Sequence, residues 1–206
     1  MIYFDFDGTV VDLWPRYYRV FLAASGLTGI SQRGYVKAKR ALVSDSAVAR
    51  HFGGTLPEGY FEKKRGLLES EDYLQLDTLL VPPAELDAFF SRFECRFLTS
   101  RRRNGAFLVE LEGLGLGRLS GWTIVLDPDR GISKKEYLAQ SAPRSPHIVV
   151  GDSEAEWEAA ALENVRAVLV RTGLRRPEDF LLTERHKVVQ SASAFITTYM
   201  ERGMLQ

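Results

Sequence analysis

Short runs of hydrophobic residues alternate along the chain with longer stretches in which apolar positions recur every three or four residues. The short runs are rich in β-branched and aromatic residues, which favour strands covered on both faces. They predict five strands: Ile2–Phe6, Cys95–Leu98, Trp122–Leu126, His147–Val150 and Ala167–Val170. A further apolar run, Lys187–Val189, is too short to assign. Because strands that alternate with helices are typical of α/β proteins, we predict a doubly wound, Rossmann-like parallel sheet.

The spacing of the strands indicates an insertion. The first two predicted strands are separated by 88 residues, whereas a crossover between parallel strands needs only about a dozen. Apolar positions in this stretch have helical spacing, as in Trp14–Phe21. We therefore predict that residues 1–12 and 93–206 form an α/β core domain and that residues 13–92 form an inserted helical subdomain.

Composition and charge narrow the classes of partner. Lys and Arg together number 27, as do Asp and Glu, so the formal net charge is zero. Such a chain has no overall field that would attract nucleic acid or an anionic membrane. No apolar run approaches the ~18 residues that span a bilayer, and a single cysteine, Cys95, excludes an intramolecular disulfide. We expect a cytoplasmic monomer or homodimer that binds neither nucleic acid nor membrane.

The segment Asp5-Phe6-Asp7-Gly8-Thr9 lies where the first predicted strand ends. The side-chain alternation of an extended chain places Asp5 and Asp7 on the same side, so both carboxylates point toward the carboxyl edge of the sheet. Open α/β sheets bind ligands at that edge. Gly8 allows a sharp turn there.

Three more polar segments lie at the ends of later elements. Thr99-Ser100-Arg101 ends the second strand, Lys134-Lys135 begins a helix after the third strand, and Asp152-Ser153-Glu154-Ala155-Glu156 follows the fourth. In a doubly wound sheet these strand ends lie side by side. The sequence thus predicts carboxylates, a hydroxyl and an ammonium around one crevice.

Together, and in this order, the four motifs resemble those of the haloacid dehalogenase superfamily of phosphotransferases. The resemblance covers residues 1–12 and about 93–206. It implies a Rossmann-like core, and the predicted insertion is similar in size and position to the α-helical cap that many members carry between motifs one and two.

The resemblance also implies catalytic roles. Asp5 would be the nucleophile that forms an aspartyl-phosphate, and Asp7 would be the acid and base. Thr99 would bind a phosphoryl oxygen, and a lysine would offset the charge of phosphate and carboxylate. For that lysine we prefer Lys134 to Lys135, because Lys134 lies one helical turn before a leucine. The candidates for substrate binding are Thr99, Ser100, Arg101, Lys134 and Lys135.

A magnesium site is implied as well. Its ligands would be Asp5, Asp152 and the main-chain carbonyl of Asp7, with Glu156 acting through a metal-bound water. Position 156 holds glutamate where aspartate is more usual in the family. Oxygen ligands suit Mg²⁺, and a divalent cation allows a carboxylate and a phosphate to meet.

These features predict a Mg²⁺-dependent phosphatase that acts on a small phosphorylated metabolite. A phosphomutase would use the same residues and differ in the acceptor. Phosphonate hydrolysis would need a lysine of the inserted helical subdomain that forms a Schiff base. The candidates are Lys37, Lys39, Lys63 and Lys64. Dehalogenases of the family lack the second aspartate, whereas Asp7 is present. From another class, a non-catalytic phospholigand-binding module is disfavoured by the intact Asp5.

Overall fold

The computed structural model describes residues 1–102, 104–141 and 146–202. The chain divides into two compact units, of which the first contains Met1–Asp12 and Leu79–Gln206 and the second contains Leu13–Thr78.

A six-stranded parallel sheet forms the centre of the first unit. Its strands are β1 (Ile2–Phe4), β4 (Cys95–Ser100), β5 (Thr123–Leu126), β6 (His147–Gly151), β7 (Val165–Val170) and β8 (His186–Val189), and their order across the sheet is β5-β4-β1-β6-β7-β8. After β1, the chain adds β4 and β5 on one side of it and then β6, β7 and β8 on the other side. This reversal places a crevice at the carboxyl end of β1.

Helices cover both faces of this sheet. They are α6 (Pro83–Arg92), α7 (Asn104–Gly113), α8 (Lys134–Ser141), α9 (Glu154–Ala159) and α10 (Ala192–Arg202), with 3-10 helices at Gly117–Trp122, Pro128–Arg130 and Pro177–Asp179. Adjacent residues of β1 face opposite sides: Phe4 packs with Phe89 and Phe195 on one face, and Tyr3 packs with Leu138 on the other. The predicted α/β fold class is confirmed.

The structure differs from the sequence prediction at the end of the insertion. The second unit ends at Thr78 instead of residue 92. Helix α6 therefore belongs to the first unit, because its buried Phe89 and Phe90 lie with ring centroids 5.7 and 5.8 Å from that of Phe4 in the sheet. Two short strands, β2 (Val11–Asp12) and β3 (Thr78–Leu79), form a separate two-stranded sheet.

The second unit is helical. It contains α1 (Trp14–Ser25), α2 (Gln32–Leu42), α3 (Asp45–His51), α4 (Tyr60–Leu68) and α5 (Glu71–Leu74). Its core is aromatic, with the ring of Phe21 4.9 Å from that of Tyr35 and 6.3 Å from that of Tyr60. A buried Arg16 donates to Asp77 at 3.1 Å and to the carbonyl of Leu68 at 2.8 Å.

Of the helices in the described ranges, none has both the length and the apolar character needed to cross a membrane.

Candidate active site

The chain turns sharply at the carboxyl end of β1. The Asp5 N–H donates to the carbonyl of Val150 at 2.8 Å, which continues the β1–β6 ladder by one residue. The N–H groups of Val10 and Val11 then both donate to the carbonyl of Phe6. Gly8 makes this turn possible, since its φ of +77° lies in the region that side chains disfavour. The predicted strand through Phe6 therefore ends at Phe4.

Lys134 contacts the first carboxylate of the motif. Its Nζ donates to Asp5 Oδ1 and to Glu156 Oε1, each at 2.6 Å, and its side chain is only 6% exposed. Lys134 and the buried Leu138 lie one turn apart on the inner face of α8. Lys135, the next residue, is half-buried. The helical spacing explains why the first of the two lysines reaches the crevice.

Glu156 is fully buried at the beginning of α9. Its Oε2 accepts from the Ser153 N–H at 3.1 Å and from the Ser153 hydroxyl at 2.8 Å, in a capping box that fixes the first turn of the helix. Its Oε1 accepts from Lys134. Glu156 therefore anchors the lysine, a contact that the sequence did not predict.

Asp152 is held by a loop that follows β7. Its Oδ2 accepts from the Leu174 N–H at 2.6 Å, and the Thr172 hydroxyl donates to the carbonyl of Gly8 at 2.6 Å. A Cβ at Gly173 would overlap the Asp152 carboxylate, so only glycine allows this approach. Sequence reasoning missed this loop, although Thr172-Gly173 lies one residue beyond a hydrophobic strand and is a visible turn signal.

Asp7 and Arg101 form a second charged group in the crevice. Arg101 Nη2 donates to Asp7 Oδ1 at 2.9 Å and to Glu110 Oε2 at 3.0 Å. Asp5 and Asp7, expected to converge, thus contact different cations. Glu110, on α7, had no assigned role in the sequence.

The hydroxyl motif ends β4. Thr99 is buried and lies two residues beyond Phe97, which pairs with Phe4, so it is level with the turn after β1. Ser100, the last residue of the strand, is exposed.

Comparisons with known proteins agree on the architecture. The sequence matches no protein-family model and no curated protein. Among solved structures, a haloacid dehalogenase-like family hydrolase from Streptococcus pneumoniae is 15% identical, with 97% of each chain covered and a TM-score of 0.66. A predicted phosphoglycolate phosphatase from Haemophilus somnus is 18% identical, with 96% of each chain covered and a TM-score of 0.67. Protein Tyrosine Kinase A from Mycobacterium tuberculosis is 17% identical, with 98% of this chain and 97% of that chain covered and a TM-score of 0.63.

This chain has the haloacid dehalogenase-like fold. Within this fold, the four motifs lie at the carboxyl ends of β1, β4 and β6 and at the beginning of α8. The fold that the resemblance implied is therefore confirmed.

The electrostatics of this site are dominated by buried carboxylates. Burial raises the pKa of Asp5 from 3.8 to about 6; the Lys134 ammonium opposes this rise, and the Glu156 carboxylate adds to it. Burial, followed by the charges of Asp5 and Glu156, raises the pKa of Asp152 well above 3.8. For Lys134, burial lowers the pKa, but the two carboxylates that it contacts outweigh burial and raise it.

These carboxylates suit a hard divalent cation. Asp5, Asp152 and Glu156 each offer an oxygen, and the three oxygens lie within 4.8 Å of one another. Among the described residues, these three buried carboxylates face the single ammonium of Lys134, which leaves an excess of negative charge that burial makes costly. A bound Mg²⁺ would offset that charge, so the residues fit the metal that the fold implies.

Proposed function

We propose that the protein is a Mg²⁺-dependent phosphatase that hydrolyses the phosphate monoester of a small metabolite through an aspartyl-phosphate. The observation that carries this proposal is the buried contact of Asp5 Oδ1 with Lys134 Nζ at 2.6 Å, at the sheet edge where α/β proteins bind ligands. The carboxylate has an ordered, charged environment and a second oxygen that can attack phosphorus.

In the first step, Asp5 attacks the phosphorus atom and the bond from phosphorus to the ester oxygen breaks. The leaving oxygen takes a proton from the Asp7 carboxyl and departs as an alcohol. Lys134 offsets the negative charge shared by the carboxylate and the phosphoryl group. The Thr99 hydroxyl, level with the turn after β1, donates to a phosphoryl oxygen.

In the second step, water attacks the aspartyl-phosphate. Asp7, now a carboxylate, takes a proton from that water as the new oxygen–phosphorus bond forms. The bond between Asp5 and phosphorus breaks, which returns the free carboxylate and inorganic phosphate. Asp7 is again protonated and ready for the next leaving group.

The metal would be held by Asp5 and Asp152, with the main-chain carbonyl of Asp7 as a further ligand. A bound Mg²⁺ supplies charge that brings the anionic phosphate to the anionic nucleophile. Glu156, with one oxygen on Lys134 and the other on Ser153, acts chiefly by holding the lysine, and we assign it only an outer position toward the metal.

The fold by itself does not choose the reaction, since one neighbour is a protein tyrosine kinase and others are hydrolases. Two of the four lysines that phosphonate hydrolysis could use, Lys39 and Lys64, are engaged within the second unit. Both donate to Asp45, at 2.7 and 2.5 Å. An amine held in such an ion pair is poorly placed to attack a carbonyl and form a Schiff base.

The test is the Asp5→Asn variant, which changes the nucleophile with almost no change in volume. Wild type incubated with p-nitrophenyl phosphate and a panel of phosphorylated metabolites should release phosphate, and Asp5→Asn should release none. Mass spectrometry of the acid-quenched wild type should locate the phosphate on Asp5. Asp129→Asn, at an exposed carboxylate, is the matched control and should retain activity. Phosphate on any other residue, or activity in Asp5→Asn, would contradict the mechanism.

A further inference from the structure

We propose that Arg101 is a positioning residue, which holds the Asp7 carboxylate for proton transfer and does not bind the substrate. This inference rests on the proposed function, in which Asp7 is the acid and base. It replaces the expectation from sequence that Arg101 contacts a substrate anion.

Burial distinguishes the two partners of this contact. The side chain of Arg101 is 3% exposed, whereas that of Asp7 is 21% exposed. A molecule that enters the crevice can therefore reach the carboxylate, while the guanidinium lies behind it. An arginine in this position supports its neighbour and is poorly placed to receive a phosphate.

The hydrogen bonds fix the direction of the carboxylate. Arg101 Nη2 donates to Asp7 Oδ1 at 2.9 Å and to Glu110 Oε2 at 3.0 Å. A guanidinium NH₂ group carries two hydrogens, so one nitrogen serves both acceptors. Charge-assisted bonds of this length are among the stronger ones in proteins. The Oδ1 atom is engaged by the guanidinium, which restricts rotation of the Asp7 carboxylate.

Arg101 is itself held on several sides. Its N–H donates to the carbonyl of Leu126 at 3.0 Å, beyond the end of β4. Its guanidinium carbon lies 5.4 Å from the ring centroid of Phe107, a buried core residue. Phe107 and Glu110 are three residues apart on α7, so they present an aromatic face and a carboxylate from the same side of the helix. The arginine cannot turn toward the substrate without losing these contacts.

Loss of Arg101 would leave the Asp7 and Glu110 carboxylates facing the same space without the cation that joins them. Their repulsion would turn Asp7 away from its working position. Because a displacement of about 1 Å at an acid or base can cost on the order of 100-fold in rate, the effect should fall on kcat.

The experiment is a double-mutant cycle. Wild type, Arg101→Gln, Asp7→Asn and the double variant are assayed with p-nitrophenyl phosphate and Mg²⁺. Arg101→Gln should lower kcat by about 100-fold and change KM by less than about twofold. In the Asp7→Asn background the same change should cost less than about twofold, because residues that act as a unit are not additive. Arg101→Lys, which keeps a charge, should recover part of the rate.

The neighbouring Arg102 provides a matched control. Its side chain is 36% exposed and pairs with Asp129 at 3.0 Å, so Arg102→Gln should behave like wild type. Thermal unfolding of each variant checks the fold. If Arg101→Gln does not fold, Glu110→Gln takes its place: it keeps the arginine but loosens it, and its smaller loss of kcat should also vanish in the Asp7→Asn background.

Two results would overturn the inference: losses that multiply in the double variant, or a raised KM at unchanged kcat, which indicates substrate binding. Failure of the proposed function has a different signature. An active Asp5→Asn variant would show that Asp5 is not the nucleophile, whatever the role of Arg101. If Asp5→Asn is inactive and Asp7→Asn is slow, but Arg101→Gln is additive, only the positioning role fails.

Discussion

The metal-free protein should become more stable as pH falls from 8 to 5, the reverse of ordinary acid denaturation. The pKa of Asp5 is raised from 3.8 to about 6 by burial. Between these values the folded state holds a proton that the unfolded state has released. Stability decreases as pH rises wherever the folded state binds more protons than the unfolded state. Asp5 therefore destabilises the fold as pH rises from 3.8 through about 6. The raised pKa of Asp152 acts in the same direction.

The magnitude follows from the two pKa values. At neutral pH the full difference between 3.8 and about 6 corresponds to about 3 kcal/mol for Asp5. Acidification from pH 8 to pH 5 protonates most of the folded carboxyl and little of the unfolded one, which recovers about 1 kcal/mol. For a protein of this size that is a rise of roughly 2–4 °C in Tm.

The assay is thermal unfolding at several pH values after metal has been stripped with a chelator, and again with saturating Mg²⁺. The cation binds the ionised carboxylates, so it should raise Tm more at pH 8 than at pH 5. Asp5→Asn is the control, because it keeps all three histidines and should lose the share of the slope that Asp5 contributes. A flat or opposite slope in the metal-free wild type, or an unchanged slope in Asp5→Asn, would refute the reasoning.

Two further predictions concern the crevice. Lys134→Ala should lower kcat by about 100- to 1,000-fold, because it removes a charge that stabilises phosphoryl transfer, and Lys135→Ala should cost less than about threefold; steady-state kinetics compare them, and equal losses would show that the lysine is misassigned. Gly173→Ala should weaken Mg²⁺ binding, because its Cβ would overlap the Asp152 carboxylate; calorimetric titration with Mg²⁺ measures the change. Gly66→Ala, where a Cβ meets nothing within 4 Å, should bind Mg²⁺ normally, and equal affinity in the two variants would contradict this prediction.

The sheet could be predicted because its inner strands are hydrophobic on both faces, so that each strand is evident from its own residues. The edge strand β8 reads half-buried, exposed, half-buried, half-buried along His186–Val189, and its apolar run was accordingly too short to assign. The end of the insertion was predicted wrongly for a different reason. Helix α6 has the same apolar spacing as a helix of the second unit, and only its contacts with a strand near the beginning of the chain assign it to the first unit.

The site likewise has features that local sequence predicts and features that depend on contacts between distant residues. The motifs placed Asp5, Lys134 and Asp152 at one edge because strand order alone brings strand ends together. The contacts of Arg101 with Asp7, of Glu156 with Lys134 and of Leu174 with Asp152 join residues 94, 22 and 22 positions apart. No local pattern encodes such pairs, since each depends on the rotamer that packing selects.

In the capping box of Ser153 and Glu156, the Glu156 side chain has two structural roles. A glutamate three residues after the N-cap is long enough to reach back to the Ser153 N–H, and with its other oxygen it still receives Lys134. An aspartate, one methylene shorter, would have to give up one of these partners. The residue that departs from the family's usual pattern is thus bound into the local folding of α9. Evolution toward aspartate here would need a compensating change at the helix start first, so the two positions should vary together among relatives of this chain.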